Sequence, residues 1–109
     1  MATSGKKQYQ DLVDRIVAAN RPDVKVGKLG GISVLTWRGK AFMGFWRDDL
    51  VVRLFGVEHA KALALKGAKE YEVAGGAQMH GWVQVPMLHV GHWRGLAQDA
   101  LVFAGERRD

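Results

Sequence analysis

Apolar residues recur at threes and fours near both ends of the chain and form dense runs through its middle. Tyr9, Leu12, Val13, Ile16 and Val17 share one helical face, and Asp11, Asp14 and Arg15 lie off it. This predicts a helix over about residues 6–19, stopped by Asn20 and Pro22, since proline disfavours helical geometry in the residue before it. Lys25 to Gly31 reads as a basic, glycine-containing connection. Ile32 to Trp37 and Lys40 to Trp46 then flank Arg38-Gly39, a two-residue hairpin turn in which glycine supplies positive φ. Leu50 to Phe55 follows Asp48-Asp49, a second turn signal, so a three-stranded antiparallel meander is expected.

Glu58 to Lys66 reads as a short helix with Ala60, Leu63 and Ala64 inward and Gly67 as its cap. Tyr71 to Val73 and Gly81 to Val85 read as strands around a Gly75-Gly76 turn, the second closed by Pro86. The last helix carries Val90, Trp93, Leu96, Ala97, Ala100, Leu101 and Ala104 as a stripe, with Arg107 and Arg108 complementing its dipole. The order α-β(3)-α-β(2)-α, with strands in runs, predicts an α+β fold: a largely antiparallel sheet with helices packed on it. One domain over residues 1–109 is expected, with residues 1–7 a flexible lead-in.

Several of these segments, taken in order, resemble the TfoX N-terminal domain family. They are Lys28-Leu29-Gly30-Gly31, Gly39-Lys40, Asp48-Asp49-Leu50-Val51-Val52-Arg53, and Met79-His80-Gly81-Trp82-Val83-Gln84-Val85-Pro86. The similarity spans about residues 8–105. It implies an α-β(3)-α-β(2)-α fold of the type shared with secretion chaperones, and a regulatory role with no enzymatic activity.

Composition narrows the setting. Hydrophobic residues make up 48% of the chain, too many for a disordered one. There is no cysteine, which excludes disulfide and thiolate chemistry and fits a reducing compartment. No secretory signal or membrane-length apolar run is visible, so a cytoplasmic protein without membrane contact is expected. The net charge is +5, and residues 1–53 hold ten Lys/Arg against five Asp/Glu while residues 54–109 hold six of each. That basic half makes nucleic acid the alternative partner, through Lys25, Lys28, Arg38, Lys40 and Arg47, with Trp37 as a stacking group at the hairpin tip.

The hairpin register yields the main candidate site. With Arg38-Gly39 as the loop, Leu35 faces Phe42 and Ser33 faces Gly44; with Asp48-Asp49 as the loop, Trp46 faces Val51 and Gly44 faces Arg53. One face then carries Ile32, Val34, Met43, Phe45, Leu50, Val52 and Leu54, and the other Leu35, Trp37, Phe42, Trp46, Val51, Arg53 and Phe55. If helices shelter one face only, the other meets a partner, most simply a second copy of the chain. Leu35, Trp37, Phe42, Trp46, Arg53 and Phe55 are the expected contact residues, because aromatics and arginine are enriched at interface centres. Gly44 beside Arg53 also leaves room for an anion, although an arginine stem packed on an aromatic neighbour explains the same residues.

Other chemistry is weakly signalled. His89 and His92 are spaced to share a helix face, but a metal needs three or four ligands, and His59 and His80 have no spacing toward them. No metal or cofactor is expected. Ser4, Ser33, Thr3 and Thr36 lie outside any nucleophile setting. Glu70 and Glu72 share a strand face, yet nothing signals the desolvation an acid–base pair requires.

Overall fold

A computed structural model describes residues 5–29, 31–72 and 78–106, with backbone alone at Glu72 and at 78–80. The architecture is α+β: three helices on one face of a six-stranded antiparallel sheet. The elements are α1 (Gly5–Ala19), β1 (Val24–Leu29), β2 (Ile32–Trp37), β3 (Lys40–Trp46), β4 (Asp49–Arg53), α2 (Gly56–Leu63), β5 (Lys69–Glu72), β6 (Gln78–Val85) and α3 (Val90–Glu106). A short 3-10 turn, Met87–His89, precedes α3. Strand order is β1-β2-β3-β4-β6-β5, so β1 and β5 are the edges.

The helices form where the apolar spacing places them. Tyr9, Leu12, Val13 and Ile16 of α1 are buried, as are Trp93, Leu96, Ala97, Ala100, Leu101 and Ala104 of α3. The Asn20 side chain donates to the Ile16 carbonyl and closes α1. Helix α2 differs from expectation. It begins at Gly56 and buries Ala62, while Ala60 and Ala64 are exposed. Gly67 (φ 84°) sits in the turn that follows and not at the helix end. The Gly75-Gly76 turn and Arg107 and Arg108 lie outside the described residues; of the expected 1–7 lead-in, residues 5–7 are helical.

Two corrections to the sheet matter for function. First, the expected connection from Lys25 is strand β1, paired along its length with β2 from Val24↔Trp37 to Leu29↔Ile32. Second, β2 and β3 pair through a bulge. Trp37 faces Lys40 as expected, but Leu35 faces Met43 and Val34 faces Gly44, which leaves Phe42 as the additional residue. The next turn is Arg47-Asp48 and not Asp48-Asp49, so Trp46 pairs with Asp49 and Gly44 with Val51. Moving that turn by one residue at each side keeps the faces of β3 from Met43 onward and of β4 as expected, while the bulge brings Phe42 to the helix side. The bulge exchanges the faces of β2 relative to β3.

The main core therefore combines Leu35, Phe42, Met43, Leu50, Val52, Leu54, Val83 and Val85 with residues of the helices. The helix-free face carries a second cluster of Ile32, Val34, Val51, Tyr71 and Trp82, with Ala41 and Trp46 partly buried against it.

Candidate partner-binding surfaces

The six residues expected to form one contact face fall in three places. Leu35 and Phe42 are 1% and 0% exposed in the core beneath the helices, so neither is available to a partner. Trp37 packs half-buried on the same side, its ring about 4.0 Å from where a side chain at Gly105 of α3 would begin. Trp46 and Arg53 lie half-buried on the helix-free face. Phe55 is past the end of β4, where it caps the N-terminus of α2.

The helix-free face carries a buried cluster of its own. Ile32, Val34, Val51, Tyr71 and Trp82 are all buried although no helix lies over them among the described residues. Burial pushes the Tyr71 phenol above its ordinary pKa. Gly44 is not an open space beside Arg53. A methyl group there would come within 3.0 Å of Ile32 Cδ1 and 3.1 Å of Val34 Cγ1, so the two β-branched side chains already fill the gap.

An exposed aromatic contact lies elsewhere. Phe55 is 71% exposed and stacks on Phe103 of α3 with centroids 5.5 Å apart and planes 7° from parallel. Beside them is a recess of about 230 Å³ lined by Leu54, Glu58, Asp99, Val102 and Glu106. A second recess of about 330 Å³ shares Glu58 and Asp99 with the first and is floored by Ala62, Leu65, Gly95 and Leu96, with Lys61 and His92 at its rim. Together they form a groove between α2 and α3. Its aromatic end is bordered by three carboxylates, Glu58, Asp99 and Glu106, on a chain whose net charge is positive. None of the three is in an ion pair among the described residues. Sequence reasoning missed this site because Phe55 reads as the last residue of a strand, and its contact with Phe103 is long-range.

The five basic residues do not converge. Lys25 and Lys28 lie along β1, Arg38 and Lys40 at the β2–β3 turn, and Arg47 at the β3–β4 turn at the other end of the strands. Arg38 is paired with Asp23 at 3.0 Å, and its guanidinium lies 4.7 Å over the Trp37 ring, which occupies the expected stacking platform. Arg47 covers Trp46 in the same way at 5.0 Å.

The remaining chemical candidates have structural work. His89 Nε2 lies 2.8 Å from the Lys66 carbonyl, and its ring is tilted against His92 at 6.1 Å. No group of three or more metal-ligating side chains meets among the described residues. Asp49 accepts from Gln84 Nε2 at 2.8 Å and from the Met87 N–H at 3.3 Å, tying β4 to β6 and to the 3-10 turn. Glu70 approaches His59 of α2 at 3.1 Å, and the pairing with β6 is irregular between Glu70 and Glu72, so the two glutamates do not form a simple alternating pair. Among the described residues, no helix is long and apolar enough to cross a membrane. No family model matches the chain, and neither a curated protein nor a solved structure matches it.

Proposed function

We propose that the chain is a non-catalytic protein-binding domain whose contact surface is the α2–α3 groove. Its occupant is a cationic, amphipathic segment of another protein. The observation that carries this reading is Phe55, exposed to solvent and stacked on the half-buried Phe103 at the mouth of the groove. A ring as exposed as Phe55 forgoes roughly 1.5–3 kcal/mol of burial, which a partner would recover. A helix laid in a groove uses apolar anchors of this kind.

Charge selects the partner. Two copies related by a two-fold axis at this surface would set Glu58, Asp99 and Glu106 against their own equivalents, which disfavours self-association here. A segment bearing lysine or arginine around an apolar stripe would meet opposite charge at the rim. The resemblance to the TfoX N-terminal domain implies a role of the same class, regulatory and without catalysis. The lack of cysteine favours a reducing, cytoplasmic setting.

The test uses a synthetic amphipathic helix with leucine and phenylalanine on one side and lysine on the other, and its glutamate counterpart. Titrated into isotopically labelled protein, the lysine peptide should shift the amide resonances of Phe55, Glu58, Asp99 and Phe103. Phe55→Ala should weaken binding about tenfold or more. Equal response to both peptides, or shifts confined to the sheet, would refute this assignment.

A further inference from the structure

Beyond the groove, and independently of it, we propose that the β1 edge is a strand-addition site. It takes an extended, acidic segment of a protein partner as a seventh strand.

The phase of the β1–β2 ladder shows which backbone groups are free for this. The Arg38 N–H donates to the Asp23 carbonyl at 2.8 Å, and the pairs from Val24↔Trp37 to Leu29↔Ile32 continue that register. In an antiparallel ladder, residues that exchange both hydrogen bonds alternate with residues that exchange none. Lys25, Gly27 and Leu29 thus direct their backbone groups toward β2. Val26 and Lys28 turn their N–H and C=O groups outward, away from the sheet. Among the described residues no element covers them: Val26 is 64% exposed, and Lys25, Lys28 and Leu29 are exposed as well.

The opposite edge is less regular. Strand β5 is described over Lys69–Glu72, where its pairing is irregular between Glu70 and Glu72 and His59 of α2 meets Glu70. Irregular pairing is one of the usual ways of blunting a sheet edge. Strand β1 has six residues and regular pairing, with no strand beyond it among the described residues.

The side chains specify the occupant. Lys25 lies level with Thr36 on the helix-free face, and Lys28 lies on the helix face, because they are three residues apart. Neither is in an ion pair among the described residues. An added strand would answer them with two acidic residues three apart, one on each face, and would place an apolar residue against Val26. A second copy of β1 would bring its own lysines to the seam, so like charge disfavours self-pairing. Edge lysines also discourage aggregation between identical chains, and that effect is compatible with admitting an acidic strand.

The probe is a short extended peptide containing Glu-Val-Val-Glu, which sets valine against Val26 in either strand direction, compared with its Lys-Val-Val-Lys counterpart. The acidic peptide should slow hydrogen exchange at the Val26 and Lys28 amides about tenfold, because both enter a new ladder. Val26→Pro removes an outward N–H that serves no native ladder bond, so the fold should persist while binding is lost. The double variant Lys25→Glu/Lys28→Glu keeps the backbone and should reverse the preference to the lysine peptide. Absence of protection at both amides would overturn the proposal. So would protection by either peptide alike, or binding of a polyanion such as single-stranded DNA that matches the acidic peptide and survives Val26→Pro. That last result would mean the lysines act as charge alone.

Discussion

The two faces of the sheet bury their valines equally well by different means. Beneath the helices, Val52, Val83 and Val85 are sealed by Trp93, Leu96, Ala97, Ala100 and the residues of α1, which is the layered arrangement expected of an α+β domain. On the far side, Val34 and Val51 are sealed to the same degree with no helix over them among the described residues. Tyr71 and Trp82 are buried in the same cluster, Trp46 flanks it, and Ile32 and Val34 close over the missing side chain of Gly44. A strand surface rich in apolar residues is therefore not by itself an interface. Large rings borne on a sheet contribute to sheltering it where no helix does.

Substitutions can test how far that contrast holds. The largest effect is expected on the helix side. Trp93→Ala should lower stability by about 3–5 kcal/mol in urea denaturation, since the indole is 2% exposed at the centre of the core. On the far side, Gly44→Val should cost about 1–3 kcal/mol by driving new methyl groups into Ile32 and Val34. A neutral result would mean that this face is loosely filled, and the contrast would fail.

Tyr9 sharpens the comparison in the opposite direction. It stacks on Phe45 at 5.1 Å, but its hydroxyl is buried without a hydrogen-bond partner among the described residues, and burial drives its pKa far above the ordinary value of 10.0. Tyr9→Phe should raise stability by about 1 kcal/mol, because an unsatisfied buried polar atom is removed. The sign with pH follows from the same burial. The unfolded phenol ionises near its ordinary pKa while the folded one keeps its proton. The stability tied to Tyr9 is thus complete below about pH 10 and declines as pH rises above it. Denaturation midpoints of Tyr9→Phe should fall less steeply above that pH than those of the wild type, with Tyr71 supplying part of the residual slope. The smallest effect is expected at Trp46. Trp46→Glu should leave the solution mass unchanged and cost about 1 kcal/mol or less, the ring being only half-buried. A wild-type dimer that dissociates on this change would restore the sheet face as an interface.

Much of the fold was legible because its signals are local. The stripes of α1 and α3 repeat at helical spacing, and Arg38-Gly39 sits at its expected turn with φ of 48° and 86°. Strand β1 was hidden because an edge buries little. Of Val24 to Leu29 only Val24 is buried, and two lysines and a glycine obscure any alternation. The bulge at Phe42 carries no glycine or proline to announce it, yet it decides which face Leu35 and Phe42 occupy. The second turn was misplaced because Arg47 and Asp48 both adopt positive φ, 50° and 66°, a geometry that side-chain preferences assign to glycine or asparagine. The groove was out of reach for a different reason, since Phe55 and Phe103 are far apart in the chain and meet only when α3 crosses the sheet.

That second turn also bears on how the first helix is anchored. Gly5 opens α1 directly against it: a methyl group at residue 5 would come within 2.6 Å of the Asp48 carbonyl oxygen, a backbone atom that cannot step aside as a flexible side chain could. The seat of α1 thus depends on one hydrogen standing where other residues carry carbon. Gly5→Ala would tilt the opening of α1 off the sheet, and local fraying would show as faster deuterium uptake at Tyr9, Leu12 and Val13 while β3 and β4 keep their protection.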